Sequence, residues 1–578
     1  MQQGTSRTVR LFMVIAALYW LGGMHFFMHN PGGSGFYLPF NMVGWLFASL
    51  LIGVGLWHVT LSHTLMLSRA QGWLWAGLVV LCIPLFAHPD VPLDAGAPRL
   101  MGIAGGMLLL FALTQLRLGA LQRLLMLYLL LGAVAFEALF ALVQYFLLTP
   151  GNWIGYNTLI NRPYGVFQQV NVLASFLATG IGIALFLIWH DRCLSIRNPK
   201  GWLAYFVIFS VVFLELVIRS RTGILGSSIV LIVFLFLFGR ERRAEQLQVV
   251  FTIILSVAAY FFIMSLHSEG RPLEEFISPQ TRWIYWRESV SLFFSNPIIG
   301  VGYGLFETAF MASYYAKEMD YSGIGLIVNL DHPHNEILYW LVEGGLVAVM
   351  GLLLLALGWW SMLRRHAGRL RWALFILPFP LLFHAMVEYP FYHSVAHWFA
   401  LIWLLWFTEA EADSYKALPL HNWLLLRAMA LLIPLLTVPY MLTGLQTAYL
   451  VTKFERGGFK EPALLEQVVN PMPWYSRFMY DVMTVRLMYG LQSNNSTELA
   501  AYVDWAKSFV RLMPRANVYS NLAMVLDRLE RFDEARQWRA EGKRLFPADP
   551  LFQPKPSAAA SASRPSLALP AQPSAAVK

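Results

Sequence analysis

The chain has 578 residues, 57% of them hydrophobic and only 13% charged, against about 25% charged in a typical soluble domain. That much apolar surface has no refuge in water, so lipid must be the solvent, and disorder, coiled coil, collagen and a secreted disulfide scaffold are excluded for the bulk of the chain. The net charge of +9, from 42 cations and 33 anions, points in such a chain to basic loops on one membrane face and not to nucleic acid.

In chain order, thirteen apolar stretches are long enough to cross a bilayer. They lie near 11–28, 42–57, 70–87, 100–116, 121–148, 166–190, 201–219, 222–239, 247–266, 337–357, 371–388, 391–408 and 423–445. The first follows Arg7 and Arg10 but lacks a small-residue cleavage site, so it reads as a retained anchor. Cys82 falls in a span and Cys193 in a basic loop, which argues against a disulfide framework. With a cytoplasmic N-terminus, cations gather in alternate loops: Arg69, Arg117 and Arg123, Arg192 to Lys200, Arg240 to Arg243, Arg364 to Arg371, and Lys416. That is the positive-inside pattern, and an odd number of spans then puts the C-terminus outside.

The predicted fold class is all-α, a polytopic membrane helical bundle. Residues 1–148 form N-terminal spans. Residues 149–445 form a second group of spans with a large polar outer loop at 267–336. Residues 446–552 read as a soluble helical domain, in which Pro514 to Pro547 has the length and pattern of one TPR-like helix–turn–helix. One such repeat cannot bury its own core, so the preceding helices must pack on it. The Pro/Ala/Ser-rich end, 553–578, is predicted disordered.

Ionisable groups at membrane depth are costly and mark function. Four clusters fall at outer ends of spans. In "NRPYGVFQQVN", Arg162 precedes a span and Gln168, Gln169 and Asn171 open it; a snorkelling arginine with polar helix contacts is the plain alternative. In "VIRSRTG", Arg219 and Arg221 sit in a tight outer turn, where the positive-inside rule disfavours them. Glu215 at i,i+4 can pair with Arg219, whereas Arg221 has no local partner and suits an anion. In "PQTRWIYWRES", Arg282 and Arg287 alternate with Trp283, Tyr285 and Trp286, either as an interfacial belt or as a cationic, aromatic wall. In "DHPHNEILYWLVEGGLVA", Pro333 suits a helix first turn and Asp331 its cap. His334 then stands at a helix N-terminus, where the dipole favours neutral imidazole or a bound phosphate. His332 reads as a cap or belt residue. Asp331, His332 and His334 match no closed zinc spacing. A weaker cluster, "HAMVEYPFYHSVAH", holds His384, Glu388, His393 and His397, most of them readable as packing histidines.

Together these clusters resemble the bacterial O-antigen ligase and O-oligosaccharyltransferase superfamily. Its ligases show His, then Asn, Ser or Gln, nine residues, Gly, two residues, then Gly, Thr or Tyr. Here His334 and Asn335 are followed by nine residues and Gly345, while Ala348 departs from the last place. Arg221 in "SRTG" and Arg282 ahead of "NPIIGVGYG" look like family positions. "RPYGVFQQVN" with "VEYP" looks like the branch that glycosylates proteins, with Val170 where that branch often has Pro. The similarity covers roughly residues 150–400.

The resemblance implies a donor oligosaccharide on undecaprenyl diphosphate at the periplasmic face of the inner membrane. It implies an acceptor Ser or Thr on a protein such as type IV pilin, with no nucleotide sugar, metal or other cofactor. On that reading Arg162, Arg221 and Arg282 bind the diphosphate, with Arg219 and Arg287 beside them. His334 accepts the proton or meets the departing phosphate. His332, Asn335, Gln169, Asn171, Glu343 and Glu388 complete the substrate-binding candidates. The central expectation is that these arginines and the imidazole share one outward-facing pocket. An O-antigen ligase, a polymerase and, outside the class, a lipid-linked glycan transporter are the competing readings.

Overall fold

The computed structural model describes residues 2–191, 194–266, 282–316 and 329–553. Arg192, Cys193, parts of the 267–336 loop and the tail from 554 onward lie outside the described residues. The described chain is helical apart from one short two-stranded sheet.

Among the described residues nine helices run through the first half: α1 (Gln2–Leu21), α2 (Pro39–Ser62), α3 (Arg69–Ala87), α4 (Leu93–Gln115), α5 (Ala120–Phe146), α6 (Val170–His190), α7 (Trp202–Ile218), α8 (Arg221–Phe238) and α9 (Arg243–Leu266). Then follow α10 (Arg282–Ser295), α11 (Phe306–Ala316), α12 (Glu336–Leu363), α13 (Gly368–Ile376), α14 (Phe379–Ala385), α15 (Pro390–His393), α16 (Val395–Ala412) and α17 (Leu424–Arg456). The chain closes on α18 (Ala463–Glu466), α19 (Tyr475–Ser493), α20 (Ser496–Leu512), α21 (Ala516–Arg528) and α22 (Phe532–Leu545). Among the described residues eleven helices, α1 to α9 with α12 and α17, are long and apolar enough to cross a membrane. The chain is an all-α, multi-pass membrane protein.

Two of the thirteen expected spans differ. The stretch 371–388 breaks into α13 and α14 around Pro378, because a proline ring cannot continue the helical hydrogen bonding. The stretch 391–408 turns first through α15, so its helix, α16, starts only at Val395 and ends on Glu409 and Glu411. The last span also runs on: α17 continues past residue 445 to Arg456.

The chain divides into two compact units. The first comprises Met1–Leu78, Gly102–Pro279 and Leu353–Tyr449. At its centre α6 packs against α5, α7, α8 and α14 and is buried along almost its whole length. It is apolar on every face and lined with small residues, which lets neighbours approach closely. A Cβ on Gly180 would meet Val134 Cγ1 at 2.3 Å. Loops in this unit join in two sets. Thr64–Leu67 pairs antiparallel with Lys416–Pro419, and Arg123 holds Glu411 at 2.7 Å. At the other set, Asn41 donates to the His393 carbonyl (2.9 Å) and the His393 ring bonds the Phe167 carbonyl (2.8 Å).

The second unit comprises Val79–Met101, Gln280–Leu352 and Leu450–Lys578. Its core joins α10 and α11 of the polar loop to the C-terminal helices α19 to α22, through residues such as Phe306, Phe310, Tyr314, Leu499, Tyr502, Leu522 and Phe546. Glu307 and Arg515 pair across it at 2.5 Å. Thus two regions that read as separate in the sequence share one apolar interior. Residues 514–547 form the expected helix pair, α21 and α22, and α19 and α20 pack in succession before it.

Candidate active site

In the first unit, polar residues meet where α6 and α8 begin. Gln169 caps α6, its side-chain oxygen accepting from Val172 N at 2.8 Å. Its amide nitrogen donates to Glu388 Oε2 (3.2 Å), and Asn171 donates to Glu388 Oε1 (2.7 Å). Asn171 also accepts from the Ser220 hydroxyl (2.8 Å), and Ser220 caps α8 by accepting from Gly223 N (3.2 Å). Behind the carboxylate, His384 Nε2 lies 3.1 Å from Glu388 Oε2 and His384 Nδ1 lies 2.7 Å from Ser175 Oγ. With its proton on Nε2, His384 donates to Glu388 and turns Nδ1 to the Ser175 hydroxyl, which also reaches the Val172 carbonyl at 3.1 Å.

Arginines border this network. Arg162 donates to the Ile218 carbonyl (3.0 Å), the last residue of α7. Arg219 follows in the left-handed region (φ 53°), Ser220 caps, and Arg221 opens α8. Arg219 donates to the Tyr260 hydroxyl (3.2 Å), while the expected i,i+4 partner, Glu215, is buried and meets Ser227 at 3.5 Å. Arg162 itself follows a loop in which Tyr156 donates to Asn161 (2.9 Å) and burial drives that phenol up, so it stays a donor.

In the second unit the site is the loop before α12. The expected cap is corrected here. Asp331 and Pro333 do not open the helix; Asn335 does, accepting from Leu338 N at 2.9 Å. The reason is His334, held at φ 56°, a conformation that ends any helical run at that residue. His332 is buried, and its Nδ1 accepts the His334 main-chain N–H at 2.9 Å. Its proton is therefore on Nε2, 3.5 Å from Glu336. The His334 ring stacks on Tyr285 (5.9 Å between centroids, 26°), and Trp286 donates to the Pro333 carbonyl at 3.1 Å. Arg282 opens α10, which carries both aromatics. Arg287, on the same helix, is engaged by Glu288 (3.0 Å) and lies over the Trp283 ring at 5.0 Å.

Further along, α12 breaks at Gly345 (φ 62°). The segment after α10 inserts there. Val301 and Gly302 donate to the carbonyls of Val342 and Glu343 (2.9 and 3.0 Å), while Leu346 and Val347 donate to those of Pro297 and Ile298 (2.9 and 3.1 Å). A Cβ on Gly345 would lie 2.3 Å from the Ile298 carbonyl oxygen, and one on Gly300 would lie 2.3 Å from the Glu343 carbonyl carbon. Glu343, fully buried, pairs with Arg99 and accepts from the main-chain N–H groups of Gly304 and Phe306 (both 3.0 Å).

Three family models match the chain in succession. One described as a protein glycosylation ligase matches residues 163–188, one described as O-antigen ligase matches 204–353, and one described as the C-terminal part of a virulence factor membrane-bound polymerase matches 372–559. Together the three matches support the O-antigen ligase and protein glycosylation ligase superfamily for this chain. No curated protein matches it. The O-antigen ligase match takes in Arg219, Arg221, Arg282, His334 and Gly345, and the glycosylation ligase match begins at Pro163 and takes in Gln169 and Asn171.

Direct hydrogen bonds join Gln169, Asn171 and Glu388, and the Asn171–Ser220 bond joins them to the Arg219–Arg221 turn. In the other unit they join His332 to His334, and α10, which bears Arg282 and Arg287, touches the same loop. Arg162, Arg219 and Arg221 belong to the first unit; Arg282, Arg287, His332, Asn335, His334 and Glu343 belong to the second. Among the described residues no group of three or more His, Cys, Asp or Glu could hold a metal ion. Sequence reasoning for this O-antigen ligase relative missed three residues. His384 was read only as packing although Glu388 stands four residues away, and Ser175 gave no signal because its partner His384 is distant along the chain. Arg99 had one signal, a cation at the mouth of an apolar stretch on the outer side.

Proposed function

We propose that this chain transfers a glycan from undecaprenyl diphosphate to a Ser or Thr hydroxyl of a periplasmic protein such as a type IV pilin. It does so in the inner membrane, with the N-terminus cytoplasmic and the C-terminal helices periplasmic. One observation carries the reading: Arg219 and Arg221 bracket a capped helix N-terminus, the start of α8, inside the stretch that the O-antigen ligase description matches. Guanidinium groups at a helix N-terminus suit a diphosphate by charge, by bidentate geometry and by dipole.

The step has few parts. The acceptor oxygen bonds to the anomeric carbon, the bond from that carbon to the phosphate oxygen breaks, and its electron pair leaves on the diphosphate. Arg162, Arg219, Arg221 and Arg282 neutralise that charge, which is usually the largest contribution to such catalysis. His334 takes the hydroxyl proton, and His332 and Asn335 fix the loop that presents it. Arg287 is secondary, being held by Glu288 and Trp283. Glu343, with Arg99 and the Gly304–Phe306 turn on it, belongs to the scaffold. The reaction needs no cofactor, since guanidinium groups supply the charge a metal would. The C-terminal helix pairs, TPR-like in length, guide the protein acceptor.

The polymerase description over 372–559 favours a second reading, in which the acceptor is another lipid-linked glycan. The transporter alternative finds an expected feature in the break of α12, but the chain's own residues 297–302 fill that break. The deciding experiment offers the purified chain a lipid-linked oligosaccharide together with pilin, lipid A-core and a second lipid-linked glycan. Mass spectrometry should find new sugar on pilin. Sugar gained only by a lipid acceptor would overturn the protein-acceptor reading.

A further inference from the structure

Glu388 collects more donors than a carboxylate needs to stay in place. Gln169, Asn171 and His384 all point at its two oxygens, at 3.2, 2.7 and 3.1 Å. These donors come from the first turn of α6 and the last turn of α14, and His384 is itself held by Ser175 from one turn deeper in α6. Three hydrogen bonds to a carboxyl group at 8% exposure hold it aimed in one direction.

The chain of bonds does not end there. Asn171 uses its amide nitrogen on Glu388 and its oxygen on Ser220, so the carboxylate dictates which way the Asn171 amide faces. Reversing that amide would put a nitrogen donor against the Ser220 hydroxyl and an oxygen against a carboxylate. Ser220, 1% exposed, in turn caps α8. On either side of it stand Arg219, in the left-handed region that non-glycine residues avoid, and Arg221. A backbone of that kind persists only when its surroundings over-determine it. Gly223 adds a second constraint, because a Cβ there would lie 2.1 Å from Glu215 Oε2.

We infer that Glu388 is a positioning residue: through Asn171 and Ser220 it locks the Arg219–Arg221 turn in its anion-receiving conformation before substrate arrives, with His384 and Ser175 orienting Glu388 in turn. This rests on the reading of the turn as the diphosphate site. It assigns Gln169, Asn171 and Glu388 to the support of the arginines and not to contact with sugar.

The test is a polarity swap in the full chain, purified in detergent. Glu388→Gln keeps the shape but turns one oxygen into a donor facing the Asn171 amide nitrogen. Backbone hydrogen exchange over residues 219–224 should then speed up, and kcat should fall about tenfold or more with a smaller change in donor KM. Adding Asn171→Asp restores an acceptor opposite the new donor and still receives Ser220. The double variant should regain both slow exchange and turnover. Unchanged exchange in Glu388→Gln would overturn the inference. So would a loss of turnover that the double variant fails to restore, since that would make Glu388 a direct substrate contact. If the wild-type chain moved no glycan at all, the proposed reaction would fall, while the exchange measurements would still decide whether the lock exists.

Discussion

Two helices, α8 and α20, begin with the same backbone device. In each a non-glycine residue in the left-handed region precedes a polar cap whose side chain accepts from the helix's first turn: Arg219 then Ser220 at α8, Asn494 then Asn495 at α20. At α20, in the C-terminal helices, the left-handed residue is asparagine, which tolerates that conformation. At α8 it is arginine, which does not. The starts of α6 (Gln168, Gln169) and α12 (His334, Asn335) repeat the pattern, again at sequence motifs singled out for chemistry. Where the fold needs only a turn, the chain uses the residue suited to it. At the three starts with candidate site residues, it places Gln168, Arg219 or His334 there and holds that backbone by neighbours.

The largest effects should come from the chemistry-bearing starts. Arg221→Ala and His334→Ala should each lower glycan transfer by about 100-fold or more while the protein still inserts. Turnover measured by mass spectrometry checks this. If both residues serve one transition state, the double variant should be little worse than the poorer single one; multiplicative losses would break the link between the two starts.

Gly345→Ala should come next. It combines a left-handed backbone with a clash against the Ile298 carbonyl, so it should cost about 1–3 kcal/mol and lower the melting temperature in detergent. Gly182→Ala, whose Cβ would find Val230 at an ordinary 3.4 Å, should change the melt far less.

A cap pair sharpens the comparison directly. Asn335→Ala and Asn495→Ala should each cost about 1 kcal/mol of stability. Only Asn335→Ala should also reduce transfer, because only that cap holds the loop proposed to carry the catalytic His334. Equal losses of transfer in both would remove the distinction.

The smallest effect concerns pH. Asp481, buried between α19 and the end of α17, has its carboxyl pushed up to about 8 by burial and by the Glu455 carboxylate beside it. The folded state thus holds a proton that the unfolded chain releases near the ordinary carboxylate value. This contribution to stability is complete below that value and is lost as pH rises toward 8. Wild-type melting should fall across this window, and Asp481→Asn should flatten the fall; an identical slope in both would refute the assignment.

Eleven of the thirteen spans were legible because hydropathy is a local signal, and the clusters around Arg221 and His334 drew notice because misplaced charge is another. What was not legible depends on distant pairing. Nothing near Glu343 announces Arg99, and nothing in "VEYP" announces that Glu388 faces Asn171. The cap of α12 was misplaced because Pro333 is a good first-turn residue by propensity, while the left-handed turn at His334 is imposed by His332, Tyr285 and Trp286. The two broken spans failed for a related reason: prolines at 378 and 390 sit in apolar runs whose average hydropathy hides them.

The apolar interior that α10 and α11 share with α19 to α22 has a consequence for synthesis. The loop helices leave the ribosome well over a hundred residues before the partners that cover them. At about 5–20 residues per second that interval lasts roughly ten seconds or more. During it Phe306, Phe310 and Tyr314 face the surroundings uncovered, so the growing chain is most exposed to aggregation and proteolysis in a stretch that ends up among its best-buried parts.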